Sequence, residues 1–128
     1  MTREDYNKIT EMIIGAAIEV HRELGPGLLE TVYEHCLEEE LLLRGLTVRR
    51  QVEVPIVYKG KKLDKVFFID ILVNGEVVLE LKSVEQIQPV HEVQLVTYMK
   101  LSKKKLGLLL NFNVEVMRLG IRRKVNNF

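Results

Sequence analysis

Asp70, Glu80 and Lys82 stand at fixed points in two otherwise apolar runs, from Val66 to Val73 and from Val77 to Ser83, where charge needs a reason. Two carboxylates converging on one face, with an ammonium two residues along the same strand, suit a hard divalent cation beside a phosphate. Magnesium takes oxygen ligands in near-octahedral geometry, with one or two carboxylates and with waters or phosphate oxygens completing the shell. A lysine there can hold a phosphate oxygen, orient an attacking water or stabilise charge that develops in the transition state. The competing reading makes Glu80 and Lys82 the solvated face of an amphipathic sheet, and the spacing D-x9-E-x-K alone does not decide between them.

The elements that must carry these residues are legible around them. Phe67, Ile69, Ile71 and Val73 recur with period two, and Val77, Leu79 and Leu81 continue the pattern, which is strand writing. Asn74-Gly75 between the runs is a hairpin-turn signal, because both residue types tolerate positive φ. A two-residue loop would set Val73 opposite Glu76 and mix apolar with charged side chains on both faces. The pattern therefore predicts a three-residue loop with Gly75 in the left-handed region, so that odd residues meet odd. Asp70, Glu80 and Lys82 would then emerge from one face, amid Val66, Phe68, Leu72 and Val78, while the odd face enters a core.

Gly27-Leu28-Leu29-Glu30-Thr31-Val32-Tyr33 opens a helical pattern, and Gln94 and Tyr98 stand one turn apart on another helix. The order Glu30, Asp70, Glu80-x-Lys82, Gln94-x3-Tyr98 is far more specific than any one part. In these residues the chain resembles the GxxExxY proteins, whose motif is Gly27, Glu30 and Tyr33 here, within the PD-(D/E)xK nuclease superfamily. The resemblance runs from Val20-His21-Arg22-Glu23-Leu24-Gly25-Pro26-Gly27, through Asp70 and Glu80-Leu81-Lys82, to Leu108-Leu109-Leu110-Asn111-Phe112. It implies Asp70 and Glu80 as metal ligands, Lys82 as the catalytic lysine, Glu30 as a helix acid near the metal, and Gln94 with Tyr98 as an accessory motif. Ile69 stands where the superfamily's proline usually precedes the first acid. Read from the residues alone, Glu30 also suits the first turn of a helix electrostatically, and Tyr98 suits packing of an amphipathic helix at a sheet edge.

A chain of 128 residues can bury a real core but has little room for a second, so one domain over residues 1–128 is expected. Hydrophobic residues at 47% and charged residues at 29% are ordinary for a globular chain, and a net charge of +1 gives no global pull toward nucleic acid. Any such binding must be local. Cys36 is the single cysteine, which leaves no internal disulfide or cysteine metal cluster and fits a reducing cytoplasm. No secretory signal pattern and no membrane-spanning apolar run is present.

Ile9, Met12, Ile13, Ala16, Ala17 and Val20 predict a first helix ending near Gly25. A second spans about Leu28 to Arg44, burying Leu29, Val32, Tyr33, Cys36 and Leu37, with Gly45 ending it. Strands follow over Thr47 to Tyr58, Val66 to Val73 and Val77 to Ser83, with Lys59-Gly60-Lys61-Lys62 as a basic turn. Pro89 opens a third helix to about Leu101. Leu106 to Phe112 reads as a strand buried on both faces, and Val114 to Leu119 as a short last strand before a basic tail, Arg122-Arg123-Lys124. The expected fold is α/β, a mixed central sheet flanked by helices, in the αβββαβ order that resembles a restriction-endonuclease-like core.

The function expected is metal-dependent hydrolysis of nucleic-acid phosphodiester bonds. Asp70, Glu80 and Glu30 are candidate ligands for Mg2+, with Mn2+ as a substitute. DNA or RNA is the expected partner, and a homodimer or larger nuclease assembly a further one. The alternative is a non-cleaving nucleic-acid-binding or protein-interaction subunit that retains the fold. Lysines 59 to 65, lysines 103 to 105 and residues 122 to 124 offer cations for a phosphate backbone, whereas Glu34, Glu38, Glu39 and Glu40 form an acidic patch that would repel it. His21, His35 and His91 lack the spacing of a zinc motif, and His91 lies beside Gln94.

Overall fold

The computed structural model describes residues 1–128. Thr2 opens α1 (Arg3–Leu24) through a reciprocal cap: its hydroxyl accepts the Asp5 N–H, and the Asp5 carboxylate accepts the Thr2 N–H. After a loop, α2 (Glu30–Leu43) buries Tyr33, Leu37 and Leu41, one per turn, in a core shared with Ile13, Ala16, Ala17 and Val20 of α1. Leu29 and Val32, expected in that core, are exposed. The helix starts only at Glu30, and its buried stripe follows Tyr33.

Five strands make one mixed sheet in the order β1 (Val48–Tyr58), β2 (Lys61–Val73), β3 (Val77–Lys82), β4 (Leu106–Asn111), β5 (Ile121–Val125). Only β3 and β4 run parallel, and α3 (Pro89–Ser102) makes the crossover between them. Helices α1 and α2 cover one face over Ile71, Val73, Leu79 and Leu81, while Leu95 and Met99 of α3 cover the other over Leu72, Val78 and Leu109. The expected α/β architecture and the αβββαβ order are present from α2 to β4. No helix is long and apolar enough to cross a membrane.

The β2–β3 hairpin has the expected register: Ile71 lies opposite Leu79 and Val73 opposite Val77, with Asn74, Gly75 and Glu76 as the loop. Asn74 and Gly75 both take positive φ, 53° and 67°. The Asn74 side chain also accepts from the Thr47 N–H and hydroxyl, tying the turn to the start of β1.

Two expectations are corrected. The odd residues of β2 do not share one core: Ile71 and Val73 pack beneath α1 and α2, whereas Phe67 and Ile69 pack on the α3 side, as do Val52 and Val54 of β1. Both strands change face between Ile69 and Ile71, where Gln51 of β1 adopts φ 51° and coils the ribbon. The even face is accordingly not open around Leu72 and Val78, which α3 covers.

The last strand is not Val114 to Leu119 but Ile121–Val125, antiparallel to β4, and the supposed basic tail is this edge strand. The chain between β4 and β5 bends and forms a short 3-10 helix, Met117–Gly120. Gly120 crosses so close to the end of β4 that an added Cβ would collide with the Asn111 carbonyl oxygen. Three consecutive cations on an edge strand deter pairing with another chain. Gly120→Ala should therefore cost on the order of 1–3 kcal/mol by forcing backbone apart, seen as a lower urea midpoint with an unchanged slope; a wild-type midpoint would contradict the close approach.

Candidate active site

Past the Ile71–Leu79 pair the β2–β3 ladder stops, and the next two residues facing each other are Asp70 and Glu80. Each carboxylate takes an N–H from the opposite strand: Asp70 Oδ2 accepts from Leu81 at 2.9 Å, and Glu80 Oε1 accepts from Asp70 at 3.4 Å. Side chains thus replace ladder bonds where the strands part. Glu80 is 7% exposed, and burial, reinforced by the Asp70 charge and their hydrogen bond, pushes its carboxyl up to about 9. Lys82, the next even residue of β3, is half-buried and has no carboxylate within ion-pair distance. Its ammonium opposes the Glu80 shift only weakly.

Glu30 approaches from α2. Its carboxylate accepts the Ser83 N–H at 3.4 Å, and the Ser83 hydroxyl donates to the Leu28 carbonyl at 2.6 Å, so the end of β3 is clipped to the mouth of α2. Tyr33 makes that mouth rigid: its hydroxyl donates to Gly25 O at 2.6 Å and accepts from Leu28 N–H at 3.1 Å, while its ring stacks on Phe112. Gly27, at φ 95°, lets the loop turn between these two anchors. On the other side of β3, the buried Asn111 side chain bonds both backbone groups of Val84. Residues 82 to 84 are held from both flanks.

No three acid, histidine or cysteine side chains converge at metal-ligating range. Asp70 and Glu80 meet, whereas Glu30 stands at the rim with its carboxylate on the Ser83 N–H. Tyr98 lies behind the pair, stacked on Phe67 at 4.2 Å between ring centres. Burial raises its hydroxyl above the ordinary value, with the charges of Glu80 and Asp70 adding to the effect. Gln94, one turn earlier, is exposed and bonds no site residue. His91 belongs to the helix start, where its Nδ1 accepts the Gln88 N–H at 3.0 Å.

Sequence reasoning missed Glu34 and Gln51. Glu34, one turn after Glu30, is only 6% exposed. Its carboxylate accepts from Gln51 Nε2 at 2.6 Å and from Arg50 at 3.2 Å, and Gln51 Nε2 also reaches Asp70 Oδ1 at 3.4 Å. Glu34, Gln51 and Asp70, together with Glu30, Thr31 and Leu81, line a small polar cleft of about 80 Å3. A non-glycine residue at positive φ costs on the order of 1–3 kcal/mol and persists only where its surroundings over-determine it. Here the Gln51 carboxamide joins two acids. The expected acidic patch on α2 is corrected accordingly: Glu34 and Glu38 grip Arg50, and Glu40 grips Arg44. The i, i+4 spacing from Glu30 was the available signal for Glu34.

The family model of the PD-(D/E)XK nuclease superfamily matches residues 7–124. No curated protein and no solved structure gives a significant match.

The Glu80 shift fixes a sign for stability. The folded protein retains a proton that the unfolded chain loses at about 4.5, so the stabilisation is complete below that value and drains away as pH rises toward about 9. In metal-free buffer the melting temperature should fall across this window. Glu80→Gln, neutral at every pH, should flatten the profile; a variant with the wild-type slope would assign the slope to other groups.

Proposed function

The chain belongs to the PD-(D/E)XK nuclease superfamily, and from that membership we propose that it is a metal-dependent nuclease hydrolysing nucleic-acid phosphodiester bonds, with Asp70 and Glu80 as ligands and Lys82 as the catalytic lysine. The observation that carries this reading is the meeting of Asp70 with buried Glu80 where β2 and β3 part, with an unpaired lysine two residues on. Gly27, Glu30 and Tyr33 support placing the chain among the GxxExxY proteins of that superfamily.

The donor set fits a hard divalent cation. Two carboxylates, with the Leu81 carbonyl beside them, suit Mg2+, and Mn2+ as a substitute. Glu80, kept protonated by its burial and further by the charge of Asp70, lacks the counter-charge that such an ion brings. When bound, the ion neutralises phosphate charge and acidifies a water.

The chain's own residues do the rest. The Leu81 N–H fixes the Asp70 carboxylate in the gap, and Gln51 holds its other oxygen. Lys82 offers its ammonium to a phosphate oxygen or to the attacking water, stabilising negative charge as it grows. Glu30 is an outer acid at the rim. Tyr98, whose hydroxyl feels the charges of Glu80 and Asp70, stacks on Phe67 beside the pair. Gln94, one turn before Tyr98, is assigned a supporting role only.

Labelled single- and double-stranded DNA and RNA, incubated with Mg2+, Mn2+ or EDTA, test this reading. Cleavage should need metal and should fall by about 10²-fold or more in Asp70→Ala and Lys82→Ala, with the Lys82→Ala melting temperature unchanged. Undiminished cleavage by a folded Lys82→Ala protein would remove that residue from the mechanism. No cleavage by folded wild-type protein would favour a binding subunit instead.

A further inference from the structure

We propose that the outer part of the β1–β2 ribbon, residues 55 to 66, is an arm that grips duplex DNA and carries it across the Asp70 site. The proposal deepens the nuclease reading, on which it rests for the position of the scissile bond.

Strand β2 pairs with β3 only over Ile71–Val73. From there its partner is β1 alone, and the pairing continues outward through Pro55–Val66, Val57–Lys62 and Tyr58–Lys61. The first part of this ribbon still rests on α3 through Val54, Phe67 and Ile69. Beyond Pro55 it belongs to neither hydrophobic core. Ile56 of β1 faces three residues of β2, Leu63, Asp64 and Lys65, a bulge that bends and twists the arm.

Charge is concentrated there. Lys59, Lys61, Lys62 and Lys65 against Asp64 alone give this segment a net +3, in a chain whose total is +1. The face bearing Asp70 continues outward through Phe68 and Val66, with Glu53 and Pro55 opposite them, to Val57 and Lys62. All of these outer residues are exposed, and Glu53 is the one anion among them. From Asp70 to the turn at Gly60 is ten residues, which at about 3.3 Å each reaches at most ~33 Å, about one turn of B-form DNA.

The ribbon's shape selects among polyanions. A two-stranded β-ribbon enters the major groove of B-DNA, which is about 12 Å wide, whereas the deep, narrow major groove of A-form RNA shuts side chains out. Single strands are gripped by aromatic platforms, and Tyr58, with Lys59 over its ring at 5.5 Å, is the arm's one aromatic residue. A second copy of the chain is the poorer occupant, because lysines along free strand edges oppose strand addition.

The test is fluorescence anisotropy with a labelled DNA duplex in EDTA. The proteins are wild type, a K59A/K61A/K62A/K65A variant, a chain with residues 56 to 65 replaced by a two-residue turn, and a K103A/K105A control. Wild type should bind DNA duplex more tightly than RNA duplex of the same sequence. Both arm variants should lose tenfold or more, and the four-lysine variant should lower the salt slope by up to about 3.6, at roughly 0.9 per phosphate contact. The control should bind as wild type. Arm variants that bind as well as wild type, whether or not they aggregate, overturn the proposal, as does an equal loss in the control or a preference for RNA duplex. Because binding is read without metal, wild-type protein that binds through the arm yet cuts nothing in Mg2+ would sink the nuclease reading and leave the arm standing.

Discussion

Two carboxylates facing each other across neighbouring strands repel, and burying one of them makes the repulsion worse, because low dielectric both weakens solvation and lengthens the reach of charge. The structure accepts this conflict at Asp70 and Glu80 and builds around it. Ladder pairing stops there, backbone N–H groups turn to carboxylate oxygens, and Glu80 keeps its proton to about 9. Conflict of this kind is poor design for stability alone. It becomes intelligible if a cation belongs between the acids.

The cost is contained by fastening everything nearby. Tyr33 staples the loop before α2, Ser83 ties that loop to the end of β3, and Asn111 holds the following residues from β4. Gln51, in a backbone conformation few side chains adopt, joins Asp70 to Glu34, and Glu34 is fixed in turn by Arg50. The geometry of the site depends on such outer partners, since a carboxylate left without them would swing toward solvent. The GxxExxY pattern is thus as much a device for placing the start of α2 as a source of the acid Glu30.

Sequence periodicity carried the hairpin register, the order of elements and the meeting of Asp70 with Glu80, because these depend on local alternation and on turn chemistry. What it missed depends on events between strands. A strict period of two cannot show that β1 and β2 change faces near Gln51, since the switch accompanies a backbone conformation that the residue's side chain does not announce. Glu34 was hidden for a different reason: on a helix rich in glutamate, its burial comes from Arg50 and Gln51, which are distant in sequence. Three consecutive cations mask the strand β5, and the apolar residues between Val114 and Leu119 find no strand partner. The resemblance named Glu30 and Gln94, and the structure places Glu30 at the rim and Gln94 exposed.

A chain of net charge +1 poses a problem for any polyanionic substrate, since no strong long-range field draws the substrate in. The acids of the site make it worse by repelling phosphate from the place where chemistry would occur. Separation in space resolves the difficulty: cations at the end of a ribbon lie far enough from Asp70 and Glu80 to remain unneutralised, yet they are joined to Asp70 by a continuous strand. In salt, charges farther apart than about 8–10 Å scarcely feel one another, so acidic site and basic arm can coexist. On the proposed reading, one strand, β2, carries both the first acid and the grip.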